Sequence, residues 1–147
     1  MADVRKELVV MLNKALELEH AARIQYLAHA ELIKGLGCEK IIERLKEIAS
    51  DEAKHEDIFR NLIGSYLNDE PSMGLAATHK AGQTLEILKV NLKGEKDAID
   101  FYKQIYSMIQ QNKQSFQYEF EALEHGIRHV ILDEEEHVTE LSVLLEE

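Results

Sequence analysis

Along this chain the hydrophobic positions advance in steps of three and four, the spacing of one face of an α-helix and not the alternation of a half-buried strand. Four such runs can be followed. The first extends from about Val4 to Lys34, and its apolar seam reads Leu8, Leu12, Ala15, Glu19, Ala22, Tyr26, His29, Ile33. The second, from about Glu39 to Leu67, reads Ile41, Leu45, Ile48, Glu52, His55, Phe59, Leu62, Tyr66. The third, from near Gln83 to about Gln111, reads Leu85, Leu88, Leu92, Glu95, Ile99, Tyr102, Tyr106, Ile109. The fourth continues to near Leu145 and passes from Phe116 and Phe120 through Leu123, Ile127, Val130, Glu134 and His137 to Leu141 and Leu144. Gly35 and Gly37 suit a left-handed C-terminal cap on the first run, and Asn68 to Ser72, with Pro71, form the strongest breaker cluster. Asn112 to Ser115 give a weaker turn, with Ser115 the expected N-cap of the fourth helix. Residues 73–82 leave room for a short helical turn. The pattern predicts an all-α four-helix bundle occupying residues 1–147 as one domain.

Composition supports long helices over strands, because one Pro and seven Gly in 147 residues leave few turn positions. The net charge of −11 argues against a nucleic-acid backbone as partner. An acidic surface attracts metal cations, but many proteins are simply acidic, so charge alone decides nothing. No run approaches the roughly 20 apolar residues that span a bilayer, and Met1 to His20 lacks the continuous apolar core of a signal peptide. No membrane association and a cytoplasmic location are expected. Cys38 is the sole cysteine, so it can form neither an internal disulfide nor a cysteine-based metal site.

Each seam is apolar or aromatic, its histidines aside, except for one interior glutamate: Glu19, Glu52, Glu95 and Glu134. In the second and fourth runs the next seam position is a histidine, His55 and His137. Four carboxylates in one core cannot stay charged without partners, since each costs several kcal/mol to remove from water. Protonation, basic partners and divalent cations are the available remedies. No Lys or Arg occupies a seam, whereas two divalent ions would offset four carboxylates and two imidazoles would supply nitrogen donors. The heights agree as well: Glu19 and Glu52 lie about 17 and 16 residues from a turn near residue 36, and Glu95 and Glu134 about 19 and 20 from a turn near residue 114. Glu-x-x-His places both side chains on one helical face.

One glutamate from each of two helices with Glu-x-x-His from the other two is an arrangement already described for di-iron bundles, so the match is to a known pattern. The chain resembles the ferritin-like di-iron carboxylate proteins, and within them the bacterioferritin branch. The resemblance is carried by Glu19 and Tyr26 in ELEHAARIQYLAHAE, Glu52 and His55 in DEAKH, Glu95 in GEKDAIDFY, and Glu134 and His137 in DEEEH. It implies two antiparallel hairpins joined by a long crossover between the second and third helices. Residues 68–82, at roughly 3.3 Å each, could reach about 50 Å, enough to cross a helix of about 45 Å. It also implies that Glu52 and Glu134 bridge two irons, with Glu19 and His55 completing one and Glu95 and His137 the other. Oxygen and nitrogen donors suit iron or manganese; zinc would bind without redox chemistry.

Asp51 and Asp133 each precede a ligand glutamate. Metal-bound histidines pass their other N–H to a carboxylate or carbonyl, so Asp51 is expected to hold His137 and Asp133 to hold His55 across the bundle. Tyr26 and Tyr102 each follow a seam glutamate by seven residues, as donors to the site or as packing aromatics. Gly94, inside a helix, either gives space beside Glu95 or is simply tolerated. His20, His29 and the pair His125 and His129 are read as ordinary surface or packing residues, and Cys38 as a free thiol.

The resemblance implies an enzyme of ferroxidase type that oxidises Fe(II) with dioxygen or hydrogen peroxide, in iron storage or detoxification, as a homo-oligomer. Alternatives are a rubrerythrin-like oxidase or peroxidase acting on peroxide or an organic substrate, and a non-catalytic helical interaction module stabilised by metal. Bacterioferritin places a haem-binding Met directly after the second-helix glutamate; Ala53 stands there, so no haem is expected. Rubrerythrin carries a further glutamate three residues after its third-helix glutamate, where this chain has Ala98, and a cysteine-rich module for which one cysteine is too few. The sequence also ends soon after the fourth run, so no fifth helix of the ferritin-cage kind is expected.

Overall fold

The computed structural model describes residues 3–146, which form four long helices and no strand. Helix α1 spans Val4–Ala30, α2 Cys38–Asn61, α3 Thr84–Gln111 and α4 Phe120–Glu146. Asp3 caps α1 by accepting hydrogen bonds from the Arg5 and Lys6 amides at 3.0 and 3.3 Å. That helix ends at Ala30, before the expected Lys34, because the Glu31 and Leu32 amides tighten onto the Ala28 and His29 carbonyls. Gly35 and Gly37 do adopt positive φ (105° and 75°), but Gly37 precedes the first residue of α2 and neither closes α1.

Helix α2 finishes in a π-helical turn, Leu62–Tyr66, in which the Leu67 amide reaches back to the Leu62 carbonyl at 2.9 Å. The wider turn displaces the seam by one residue. Leu67 is buried in place of the expected Tyr66, which is 42% exposed. Asn68 then takes φ 52°, the left-handed conformation that asparagine tolerates. At the start of α3 the seam also differs from expectation: Leu85 is exposed, while Ile87, Leu88 and Asn91 are buried. Ser115 does not cap α4. It lies in a 3₁₀ turn, Lys113–Phe116, that packs Phe116 into the core before α4 begins.

Two apolar clusters fill the bundle, and every helix passes from one to the other at its seam glutamate. One contains Leu12, Leu16, Phe59, Ile63, Tyr102 and Ile127; the second contains Tyr26, Leu45, Ile48, Leu88 and Leu141. Following the chain, α1 and α4 run from the first cluster to the second, and α2 and α3 run the opposite way. The hairpins α1–α2 and α3–α4 are therefore antiparallel, and the chain must cross the whole bundle between α2 and α3. Residues 68–82 make that crossing without helix and lie along α1. The Ser72 amide donates to Asn13 Oδ1 at 2.7 Å, the Ala76 amide to the Glu17 carbonyl at 3.0 Å, and the His79 amide to Gln25 Oε1 at 2.6 Å. On the opposite side Gly126 lets α4 approach α2, since a Cβ there would stand 3.1 Å from Leu62 Cδ1. No described helix is long and apolar enough to cross a membrane.

Candidate metal centre

Between the two apolar clusters the seams place Glu19 from α1, Glu52 and His55 from α2, Glu95 from α3, and Glu134 and His137 from α4. All six are 3% exposed or less. They fall into two overlapping groups of potential metal donors, Glu19–Glu52–His55–Glu134 and Glu52–Glu95–Glu134–His137, with the donor atoms of each group within 4.8 Å of one another. Glu52 and Glu134 are common to both.

The geometry has the scale of a coordination sphere. His55 Nδ1 stands 3.3 Å from Glu19 Oε1, Glu52 Oε1 and Glu134 Oε1 alike. His137 Nδ1 stands 3.5, 3.4 and 3.2 Å from Glu52 Oε1, Glu95 Oε1 and Glu134 Oε1. Donor atoms placed about 2.0–2.2 Å from a shared ion lie about 3.0–3.5 Å from their neighbours. Each of the six residues also buries one side-chain atom without a hydrogen-bond partner: Glu19 Oε2, Glu52 Oε1, His55 Nδ1, Glu95 Oε2, Glu134 Oε1 and His137 Nδ1. Buried polar atoms are seldom left unsatisfied, and here the orphans are one per residue and concentrated in this one place. Two divalent ions would satisfy them.

The surrounding hydrogen bonds orient the set. His55 Nε2 pairs with Asp133 Oδ2 at 2.8 Å and His137 Nε2 with Asp51 Oδ2 at 2.9 Å, the crossed pairing expected from the sequence. Each aspartate accepts the Nε2–H and so leaves Nδ1 as the lone-pair donor facing the centre. Tyr26 on α1 donates to Glu95 Oε1 on α3 at 2.7 Å, and Tyr102 on α3 donates to Glu19 Oε1 on α1 at 3.0 Å. Both tyrosines are thus donors to the centre as well as core aromatics.

Electrostatics describe a site that carries protons where cations would go. Burial pushes the Glu19 and Glu52 carboxyls up, with the Glu134 charge adding to the effect, and raises Glu95 to about 8. Burial also opposes the charge on Glu134, but the His137 and His55 imidazoles facing it at 3.2 and 3.3 Å outweigh that and hold the carboxyl low. For the imidazoles, burial works against protonation, yet Glu134 with Glu19 raises His55 to about 11, and Glu134 with Glu95 raises His137 to about 12. Burial keeps both tyrosines protonated as donors, well above their usual range. Divalent cations would displace the imidazole protons, since only neutral imidazole ligates.

A family model for the ferritin-like domain matches residues 9–147. The chain belongs to the ferritin-like family. A bacterioferritin from Brucella melitensis biotype 1 is 31% identical over 99 residues, 67% of this chain and 61% of that protein. A bacterial ferritin from Neisseria meningitidis serogroup B is 32% identical over 93 residues, 63% of this chain and 59% of that protein. The matched stretch thus spans about three fifths of these curated relatives. Among solved structures, a Rhodobacter capsulatus bacterioferritin with a metal-free dinuclear site and haem iron superposes with a TM-score of 0.85 at 25% identity, covering 99% of this chain and 86% of that one. A ferritin-like di-iron carboxylate protein from Bacillus anthracis superposes with a TM-score of 0.89 over 99% of both chains at 24% identity, which establishes the shared fold.

Other sequence candidates lie outside this ferritin-like centre. His20 Nδ1 pairs with the Gly74 carbonyl, and His29 Nε2 with the His79 carbonyl at 3.0 Å, so both serve the crossover. His125 and His129 stack on the surface of α4, with His129 Nε2 3.4 Å from Asp133 Oδ2. Cys38 is a free, half-buried thiol. The sequence reading passed over two buried polar residues. Asn91 donates to His29 Nδ1 and the Ile87 carbonyl and accepts from Gln25 Nε2. Glu56, 5% exposed, pairs with Arg23 and with Arg60 Nη2 at 3.0 Å.

Proposed function

We propose that this ferritin-like chain binds two iron ions through Glu19, Glu52, His55, Glu95, Glu134 and His137 and oxidises Fe(II) with dioxygen or hydrogen peroxide, in iron storage or detoxification. The observation that carries this reading is the set of six orphaned donor atoms, one from each residue, in two overlapping groups. Glu52 and Glu134 belong to both groups, which supports the reading that they would serve both ions. Glu19 with His55, and Glu95 with His137, complete the two positions. Asp133 and Asp51 fix the imidazole tautomers. The tyrosine hydroxyls donate to Oε1 of Glu19 and Glu95, the oxygens that also face the imidazoles, and so orient both carboxylates while Oε2 of each stays without a partner. Two Fe(II) ions held there would each give one electron and become Fe(III), which with two protons from solvent converts dioxygen to hydrogen peroxide, or hydrogen peroxide to two waters. The apolar clusters on either side exclude bulk water and strengthen the electrostatics within.

The test is to load Fe(II) anaerobically and then add oxygen. Two ions per chain and rapid oxygen consumption are expected; bound iron without consumption would remove the ferroxidase assignment. We also propose a cytoplasmic homo-oligomer, for which gel filtration is the check. Exposed apolar side chains on α1 (Val10, Ile24 and Leu27) support a subunit contact there.

A further inference from the structure

A cavity of about 90 Å³ lies between α1 and α3 and reaches the centre from the side opposite the histidines. Glu19, Glu52, Glu95 and Glu134 line its inner end, and each of them buries an oxygen without a partner. Its walls are short side chains, Ala21 and Ala22 on α1 and Gly94 and Ala98 on α3, and the crossover adds Ala77 and His79. Its outer end is framed by a closed ring of hydrogen bonds. Gln25 accepts from the His79 amide and donates to Asn91, Asn91 donates to His29 Nδ1, and His29 Nε2–H donates to the His79 carbonyl.

Gly94 makes the space meaningful. Glycine inside a helix costs about 1 kcal/mol relative to alanine, a cost that close packing of a neighbour often explains. Here a Cβ would meet nothing within 4 Å. No packed neighbour and no positive φ requires a glycine; Gly94 is exposed, and its missing side chain leaves the mouth of the cleft open above buried Glu95.

We infer that this cleft is the entry path by which a small neutral oxidant reaches the carboxylate side of the centre, with Gly94 and Ala98 setting its bore. Size and polarity select that ligand. A volume of about 90 Å³ accommodates a few water-sized molecules, one needing at least about 10–15 Å³, but falls below the roughly 300–1,000 Å³ of organic-ligand pockets. No Lys or Arg lines it, and its only carboxylates are those of the centre itself. A hydrated cation would have to shed its shell against alanines, at a large desolvation cost. Dioxygen and hydrogen peroxide share the required chemistry of being small and uncharged. The inference rests on the proposed oxidation of iron at this centre.

Xenon, which enters dry apolar cavities, provides a readout separate from turnover. Crystals of the zinc-loaded protein under xenon pressure are expected to show the gas between Gly94 and Ala98, and Gly94→Leu crystals are expected to exclude it. The leucine has room and raises helix propensity, and Ala98→Val gives a second plug should it perturb folding. Both variants are expected to bind two cobalt(II) ions per chain anaerobically with affinity within about threefold of wild type. Oxidation of bound Fe(II) should slow tenfold or more, and parallel reactions with dioxygen and hydrogen peroxide reveal which oxidant uses the path. Absence of xenon from the wild-type cleft, or unchanged oxidation by both oxidants in plugged variants that exclude xenon, would overturn the inference. Failure of wild type to bind two cobalt ions would instead sink the paired-metal reading and leave the xenon result standing.

Discussion

Glu52 and Glu56 stand one turn apart on α2, both buried, at 1% and 5% exposure, yet their surroundings differ in kind. Glu56 meets cations the chain itself supplies, Arg23 and Arg60, the latter at 3.0 Å. Glu52 faces three more carboxylates and two histidines, and no permanent cation. A guanidinium is always charged, so Glu56 meets its counter-charges as soon as the chain folds. Glu52 has no such partner, and its environment is completed by something that arrives and can leave. The contrast separates a structural carboxylate from a binding one better than burial does.

The largest expected effect comes from removing a shared ligand. At 1,000 times its Kd, one bound cation stabilises the fold by about 4 kcal/mol, which for a chain of this length raises Tm by about 8–16 °C. Glu52→Ala is expected to abolish that rise and reduce the metal content from two ions towards none. Thermal unfolding with and without cobalt(II), together with elemental analysis, reads both, and retention of two ions would erase the distinction from Glu56. Next in size, Asp133→Ala and Asp51→Ala are expected to weaken metal binding about 10–100-fold by freeing His55 or His137 to reorient. Isothermal titration should show each variant impairing one of the two binding steps more than the other.

Metal-free protein reverses the ranking. Glu56→Gln is expected to lose about 1–2 kcal/mol, because Arg23 and Arg60 lose their shared partner but remain free to turn to solvent. Glu52→Gln should leave Tm in chelator unchanged or raise it, since burial and the Glu134 charge already hold that carboxyl in its protonated, neutral form and the amide is nearly isosteric with it. If Glu52→Gln proves the more damaging in chelator, the contrast is wrong. The smallest effects belong to the tyrosines. Tyr26→Phe and Tyr102→Phe each delete one donor to a terminal carboxylate, at a cost of about 0.5–1.5 kcal/mol. Metal stoichiometry should stay at two, with only the affinity reduced.

The six residues at the centre were legible because a seam of fixed period makes a misplaced glutamate visible, and a helical step of three ties His55 and His137 to their neighbours. Asp51 and Asp133 could be read for the same reason: they adjoin known positions, and antiparallel helices bring them across. Glu56 and Asn91 were hidden because their meaning depends on distant partners, Arg23 on α1 and the Gln25–His79–His29 ring, which no local period encodes. Tyr66 was misassigned through geometry. A spacing of three and four assumes a uniform helix, and the π-helical turn at Leu62–Tyr66 adds a residue that composition does not announce. Ser115 has the chemistry of an N-cap, but burial of Phe116 beside it sets a different turn.

The crossed hydrogen bonds of the two tyrosines carry a consequence for assembly. Tyr26 in one hairpin serves Glu95 in the other, Tyr102 serves Glu19 in return, and each group of metal donors draws on both hairpins. The contacts within a hairpin are close in sequence and can form early, whereas those at the centre are 69 and 83 residues apart and form only after the larger loop has closed. Neither hairpin alone presents a complete donor set. The centre is therefore a seal complete only where the two hairpins meet, and a cation that binds there reports that both are docked.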